Sequence, residues 1–435
     1  MKKILMIVAA ILTLAVLPLA LFGCNGGTQT EEPTGEPTEV PTDKPTDKPT
    51  EAPTDAPTEA PTENPYKDAV LENKNYTFTD EASVAKIKRL GRTMLNAEKG
   101  ICFDHSATGI EFNVVAEGDI TADILCEAVN DNEAYLAIYV DGVRSEDFYM
   151  EKDPNGNGLR RWANCHVTEG ANTVTIATDL EKGEHNIRIV KQTEANYALL
   201  SISNINVTGY LLDKPEDKEY YIEIIGDSLT CGMGAAGNST ISAAQGINGA
   251  DWEDATQGYA FRTVEALNAD YSIVSESGIG IASSWFDDIT NFYGKYSYKR
   301  DQRTDYDFAR KPDLVIINLG TNDFYLAQDK DASIVARVKS AVKELINTVH
   351  AKYGSDTPIL WVSGIWWNIS SETEVIQQID AAINELGGEA KGIYRLTIAE
   401  NQQNKMGAEN HPSIKGHEQT TTEVVDYILQ NGLLD

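Results

Sequence analysis

The sequence predicts an all-β sandwich followed by an α/β domain built on a parallel sheet. Three observations predict it. Short strands of alternating polarity, punctuated by turn residues, run to about residue 215. After Pro215 the pattern changes to apolar strands separated by amphipathic helices. The length of 435 residues leaves room for two cored domains with accessories.

Residues 1–24 read as a targeting segment outside the fold. Lys2 and Lys3 precede an apolar run from Ile4 to Phe22, which ends in Leu21-Phe22-Gly23-Cys24. That ending resembles the lipobox of bacterial lipoproteins, so Cys24 is the expected lipidation site, with an uncleaved membrane anchor as the competing reading. Either way the remainder is expected outside the cell, attached to its surface.

Residues 25–65 read as a spacer. Prolines at 33, 37, 41, 45, 49, 53, 57, 61 and 65 keep a strict four-residue period with threonines and acids between them. Fixed φ angles, like-charge repulsion and a lack of apolar side chains favour an extended chain over a core. At ~3.1 Å per residue in polyproline II, the spacer reaches roughly 100 Å from a membrane. Such reach suits work on an extracellular polymer.

Residues 66–215 carry the sandwich. Ile110, Phe112 and Val114 alternate with Glu111 and Asn113; Ile120, Ala122, Ile124 and Cys126 alternate likewise; Leu136, Ile138 and Val140 lead into an Asp141-Gly142 turn. Further strands are expected at 174–177 and 187–190, separated by a turn at Gly183, and at 198–207. Packing partner and carbohydrate-binding module are both open roles for this domain, and the lack of an aromatic platform favours the first.

Residues 216–435 carry the α/β domain. Strands are expected at 221–225, 314–319, 358–362 and 394–398. Between them Ile334, Val338, Ala341, Val342, Leu345 and Val349 trace one helical face, and Val375, Ile379, Ile383 and Leu386 another. A βαβ series makes a parallel sheet with helices on both faces, and ligands bind beyond the carboxyl ends of its strands.

Charge narrows the function. Lys and Arg number 36 against 67 Asp and Glu, a formal charge of −31, and the part from residue 66 onward still carries 57 acids against 32 bases. Nucleic-acid binders need basic faces, so nucleic acid is not an expected partner. Polyanionic substrates are repelled and neutral ones are not.

Three polar clusters sit at or just beyond expected strand ends: Gly226-Asp227-Ser228-Leu229, Gly320-Thr321-Asn322-Asp323 and His411-Pro412-Ser413. Each alone is weak, since Asp, Asn and Ser also cap helices and make turns. Together, in this order, they resemble the SGNH (GDSL) hydrolases, whose fold is a flavodoxin-like α/β domain. The resemblance implies Ser228 as nucleophile and His411 as general base. It implies an oxyanion hole from the N–H groups of Ser228 and Gly278 and the side chain of Asn322, with Gly280 as the alternative to Gly278. A serine needs a base to take its proton, and a tetrahedral oxyanion needs preorganised donors. His350 and His417 are expected to be structural.

The wider SGNH pattern places an aspartate three residues before the histidine, where this chain has Ala408. With the domain order and with 226–232 and 411–413, that departure sharpens the resemblance to carbohydrate esterase family 2. That family joins a jelly-roll β-sandwich to an SGNH domain and uses a Ser-His dyad with a backbone carbonyl orienting the imidazole. Glu409 is the alternative partner for the ring. The resemblance implies deacetylation of plant polysaccharides or oligosaccharides such as xylan or glucomannan, with no cofactor and no metal. Trp366 and Trp367 are candidates for an aromatic wall against a sugar ring, core packing being the other reading. Two alternatives remain: another SGNH activity (lipase, thioesterase or peptidoglycan O-acetyl esterase), or a surface carbohydrate-binding protein with a vestigial site. Cys102, Cys126, Cys165 and Cys231 lack zinc spacing and leave disulfide pairing open.

Overall fold

A computed structural model describes residues 64–434 apart from 130–131, 145–148, 153–158, 163–165, 241–248, 286–288, 297–303, 367 and 399–405. Cys24, most of the Pro-Thr spacer, Cys165 and Trp367 therefore lie outside the described residues.

The N-terminal half is antiparallel and dominated by long strands: β1 (Gly109–Ala128), β2 (Ala134–Val140), β3 (Gly170–Lys191) and β4 (Ala198–Leu211). β3 and β4 flank β1, and β2 lies beyond β3. The two alternating runs at 110–114 and 120–126 belong to one strand, which turns at Gly118 with φ +76°. The turn expected at Gly183 is also absent. Residues 174–190 stay in one strand, because irregularities between Thr175 and Gly183 absorb the bend while pairing with β1 continues from Gly170↔Cys126 to Val190↔Gly109. The alternation still does its work: Ile110, Phe112, Val114, Ile120, Ala122, Ile124 and Cys126 all point into one apolar core with Ile187, Ile189, Ile202 and Ile205.

The C-terminal half is a five-stranded parallel sheet: β5 (Tyr220–Gly226), β6 (Ala269–Ser275), β7 (Leu314–Asn318), β8 (Ile359–Ser363) and β9 (Ile393–Thr397). Its order β6-β5-β7-β8-β9 is the flavodoxin-like 2-1-3-4-5 arrangement, with the switch point beside β5. β6 was not among the expected strands. Its polar positions Asp270, Ser272 and Ser275 interrupt the apolar pattern, yet every residue of the strand is buried. Partners from elsewhere explain this: Lys88 and Arg310 on Asp270, Arg92 on Ser272.

Alternate residues of each strand go to opposite faces. Ile225, Val315, Ile317, Ile359 and Trp361 pack under α4 (Ile334–Tyr353) and α5 (Glu374–Glu385). Ile222, Ile224, Ile316, Leu360 and Val362 pack under α2 (Tyr259–Ala266) and α6 (Ile414–Gln430).

Residues 64–435 form one compact unit, and buried charges tie the two sheets together. Arg92, 1% exposed, leaves the β half and donates to Glu223 of β5 at 2.9 Å; Tyr293 and Tyr353 hydroxyls donate to the same carboxylate at 2.7 and 3.0 Å. Arg144 of the β half pairs with Asp254, and Arg188 makes a two-pronged pair with Glu265.

Candidate active site

All five parallel strands send a chemically interesting residue beyond their carboxyl ends. Ser228 follows β5, Gly278 follows β6, Asn322 follows β7, Trp366 follows β8 and His411 follows β9. Among the described residues, these five are the candidate residues of the α/β domain; Trp367 lies outside.

Ser228 opens a one-turn helix, α1 (Ser228–Cys231). Asp227 caps it, its Oδ1 accepting the Leu229 N–H at 3.0 Å. The serine is 6% exposed. Its Oγ–H donates to His411 Nε2 at 2.9 Å, and His411 Nδ1–H donates to the backbone carbonyl of Glu409 at 3.0 Å. These two bonds require the neutral Nδ1–H tautomer, which leaves Nε2 free to receive a proton.

The backbone before His411 is shaped to deliver that carbonyl. Glu409 and Asn410 both adopt left-handed φ values, +54° and +59°, conformations that cost a non-glycine residue about 1–2 kcal/mol each. The loop is held from outside by Gly234, whose carbonyl accepts the Ala408 N–H at 2.9 Å. A Cβ on Gly234 would sit 2.4 Å from Ala408 O and 2.7 Å from His411 Cβ, so only glycine permits this approach.

Desolvation in the cleft pulls His411 down to about 4, partly offset by the Glu409 carbonyl. The ring is therefore uncharged at neutral pH. The Glu409 carboxyl is raised by burial, and the Glu409–His411 hydrogen bond runs through its backbone oxygen.

Asn322, in the first turn of α3 (Thr321–Asp329), donates to Ile279 O at 2.8 Å and, at a long 3.4 Å, toward Asp227 Oδ2. The first bond ties it to the Gly278 loop, and the second is the weaker one that an oxyanion competes with. Gly278 has φ +82°, a conformation that favours glycine. Asp323 clamps the next stretch, accepting the N–H groups of Ile281 and Ala282 at 2.7 and 2.8 Å and Ser283 Oγ–H at 3.0 Å. Gly280 lies inside that clamp, where a Cβ would meet Ser283 O at 2.2 Å. Burial pushes Asp227 up to about 7, with Asp323 adding repulsion.

Trp366 stands edge-on to the His411 ring, centroids 4.7 Å apart. Tyr325 packs edge-on to that indole at 5.8 Å and donates to Asn368 at 2.9 Å. Trp285 was missed in the sequence. Its backbone N–H donates to Gly278 O at 3.1 Å, Lys330 Nζ lies 3.8 Å over its ring, and it is the one aromatic among the exposed large hydrophobics of the described residues. Its position seven residues after Gly278 was the available signal.

His417 is buried in α6 and accepts the Tyr259 N–H at 3.1 Å; His350 lies in the last turn of α4. Cys102, Cys126 and Cys231 are buried, and burial lifts the Cys231 thiol well above its usual range, so it stays protonated. Among the described residues, one group of side chains lies close enough to share a metal: Glu194, Cys231 and Glu253, with ligand atoms within 4.8 Å of one another. One oxygen of Glu194 already accepts the Ser277 N–H.

Residues 224–419 match the GDSL-like lipase/acylhydrolase family, and residues 29–66 match the PT disordered repeat. The chain is 29% identical over 267 residues to the cellulase/esterase CelE of Acetivibrio thermocellus, covering 58% of this chain and 31% of CelE. It is 26% identical over 259 residues to an acetylxylan esterase/glucomannan deacetylase of Cellvibrio japonicus, covering 57% of this chain and 64% of that protein. The match thus spans less than two thirds of either relative. A solved family two carbohydrate esterase from Clostridium thermocellum, in complex with cellohexaose, aligns with a TM-score of 0.67 at 24% identity over 80% of this chain and 100% of that one. That likeness is one of fold.

Proposed function

Taking residues 224–419 as a GDSL-like lipase/acylhydrolase domain, we propose that the protein is a carboxylic-ester hydrolase that removes O-acetyl groups from neutral plant polysaccharides or their oligosaccharides. The observation that carries this reading is the chain Ser228 Oγ–H to His411 Nε2, His411 Nδ1–H to Glu409 carbonyl. The esterases among the relatives support the acetylated-carbohydrate substrate, and the acidic surface suits an uncharged polymer.

His411 takes the Ser228 proton as Oγ attacks the acetyl carbonyl, giving a tetrahedral intermediate whose oxyanion faces the N–H groups of Ser228 and Gly278 and the Asn322 amide. The imidazolium then protonates the departing sugar oxygen as the C–O bond breaks, leaving an acetyl-enzyme. A water attacks that ester with His411 again as base, releasing acetate and restoring Ser228. The Glu409 carbonyl replaces the carboxylate of a triad: it fixes the tautomer through one neutral hydrogen bond. Trp366 supplies a wall for the sugar ring.

The β half is a jelly-roll-like sandwich in this reading. The protein is exported and held at the bacterial surface by lipid on Cys24, with the Pro-Thr spacer giving reach. A screen of purified protein on acetylated xylan, acetylated glucomannan and O-acetylated peptidoglycan, with products mapped by NMR, tests the substrate class. Acetate release confined to peptidoglycan would overturn it.

A further inference from the structure

The connection between β3 and β4 is unusual for a loop. Connections run over surfaces because their polar groups need water. Here Gln192, Thr193 and Glu194, and Lys191 at the end of β3, are all 0% exposed. The segment leaves the β half and enters the α/β half: the Gln192 carbonyl accepts the Ala255 N–H at 2.9 Å. Lys191 Nζ fixes its backbone, donating to the carbonyls of Asp104 and Glu194 at 3.0 Å each and to that of Thr193.

This pinning aims one carboxylate. Glu194 Oε2 accepts the Ser277 N–H at 2.6 Å and lies 3.6 Å from Cys231 Sγ. Ser277 immediately precedes Gly278, and Cys231 ends the helix that Ser228 begins. Cys231 Sγ in turn lies 3.2 Å from Ser275 Oγ at the end of β6. The loop's own backbone bonds are longer: Glu276 N to Gly226 O at 3.3 Å and Ile279 N to Glu276 O at 3.4 Å. The short bond to Glu194 is therefore the tightest hold among these on the peptide next to Gly278.

We propose that Glu194, supplied by the β half, is a positioning residue of the oxyanion hole: by holding Ser277 N–H it sets the Ser277–Gly278 backbone against the turn of Ser228. The inference rests on the reading of Ser228 as nucleophile. It makes the β half part of the catalytic apparatus, since the α/β half alone lacks this acceptor. Glu194 touches no substrate, so its effect appears where oxyanion charge develops and not in ground-state binding.

The test crosses reach against charge in the full chain. Glu194→Gln keeps an oxygen at the same reach and loses the charge; Glu194→Asp keeps the charge on a side chain one methylene shorter; Glu194→Ala has neither. With p-nitrophenyl acetate, Glu194→Ala and Glu194→Asp are expected to lose about tenfold or more in kcat with KM changed less than about twofold. Glu194→Gln is expected to stay within about threefold of the parent. Inhibition by phenylboronic acid, which forms a tetrahedral adduct on a nucleophilic serine, should weaken in step with kcat. Folded Glu194→Ala and Glu194→Asp proteins with parental kcat and boronate affinity would overturn the proposal, as would collapse of Glu194→Gln alongside an active Glu194→Asp. If Glu194→Ala does not fold, the Gln and Asp pair decides. Ser228→Ala is the control: an inactive Ser228→Ala with active Glu194 variants sinks this inference alone, whereas an active Ser228→Ala sinks the reading beneath it.

Discussion

The acid limb of activity follows from the surroundings of His411. Its ring faces the Ser228 hydroxyl, the Glu409 carbonyl and the Trp366 edge. His417, on the neighbouring helix, is pulled down to about 3 by burial, so it carries no charge through most of the range. Asp227, pushed up to about 7, turns its oxygens to the Leu229 N–H and the Asn322 amide. Desolvation accordingly holds the base at about 4. The sign is that of a group whose neutral form is active: kcat/KM is full above the pKa and is lost as pH falls through it. At pH 5 a base at about 4 is roughly 90% neutral, whereas an unshifted imidazole at about 6.5 is only ~3% neutral, a difference of about 30-fold. The assay is acetate release from p-nitrophenyl acetate between pH 3.5 and 8, with circular dichroism at each pH to separate unfolding from titration. Glu409→Gln should leave this profile in place and lower kcat less than about tenfold, because the backbone carbonyl survives the change. An acid midpoint near 6.5 or above that drops in Glu409→Gln would refute the reasoning, showing a carboxylate on the imidazolium.

Three further outcomes follow. Asn322→Ala should lower kcat by about 100- to 1,000-fold with KM little changed, as loss of one preorganised donor does; an effect confined to KM would make Asn322 a substrate-positioning residue. Glu223→Ala should destabilise the fold by about 3–5 kcal/mol in chemical denaturation, since it strands the buried Arg92 guanidinium along with two tyrosine hydroxyls; a loss under about 1 kcal/mol would contradict that account. Cys24→Ser should release the protein from membranes or leave it unprocessed, and unchanged membrane association of a correctly cleaved chain would refute lipidation as the anchor.

Four of the five parallel strands were legible because their residues are apolar toward helices on both faces, as with Leu314–Asn318. The fifth, Ala269–Ser275, was not, because its polar residues are satisfied by Lys88, Arg92 and Arg310, contacts that no local pattern encodes. In the β half the alternation of 110–126 identified which side chains go inward, while the continuity of the strand through Gly118 depended on pairing with β3 and β4. At the site, Ser228, Asn322 and His411 announced themselves as polar clusters at strand ends. Where the usual acid would stand the chain has Ala408, and the ring's Nδ1 lies against the Glu409 carbonyl. Glu194 gave no signal, since a buried Lys-Gln-Thr-Glu run looks like any exposed loop until the fold shows what covers it.

The central claim is that an acyl group passes through Ser228, and trapping it is the most direct test. Wild-type protein acid-quenched during turnover of p-nitrophenyl acetate and digested for mass spectrometry should carry one acetyl group on the peptide containing Ser228. Ser228→Ala should carry none and should lose several orders of magnitude in kcat while remaining folded. Acetyl found reproducibly on another residue, or near wild-type turnover by Ser228→Ala, would contradict the account.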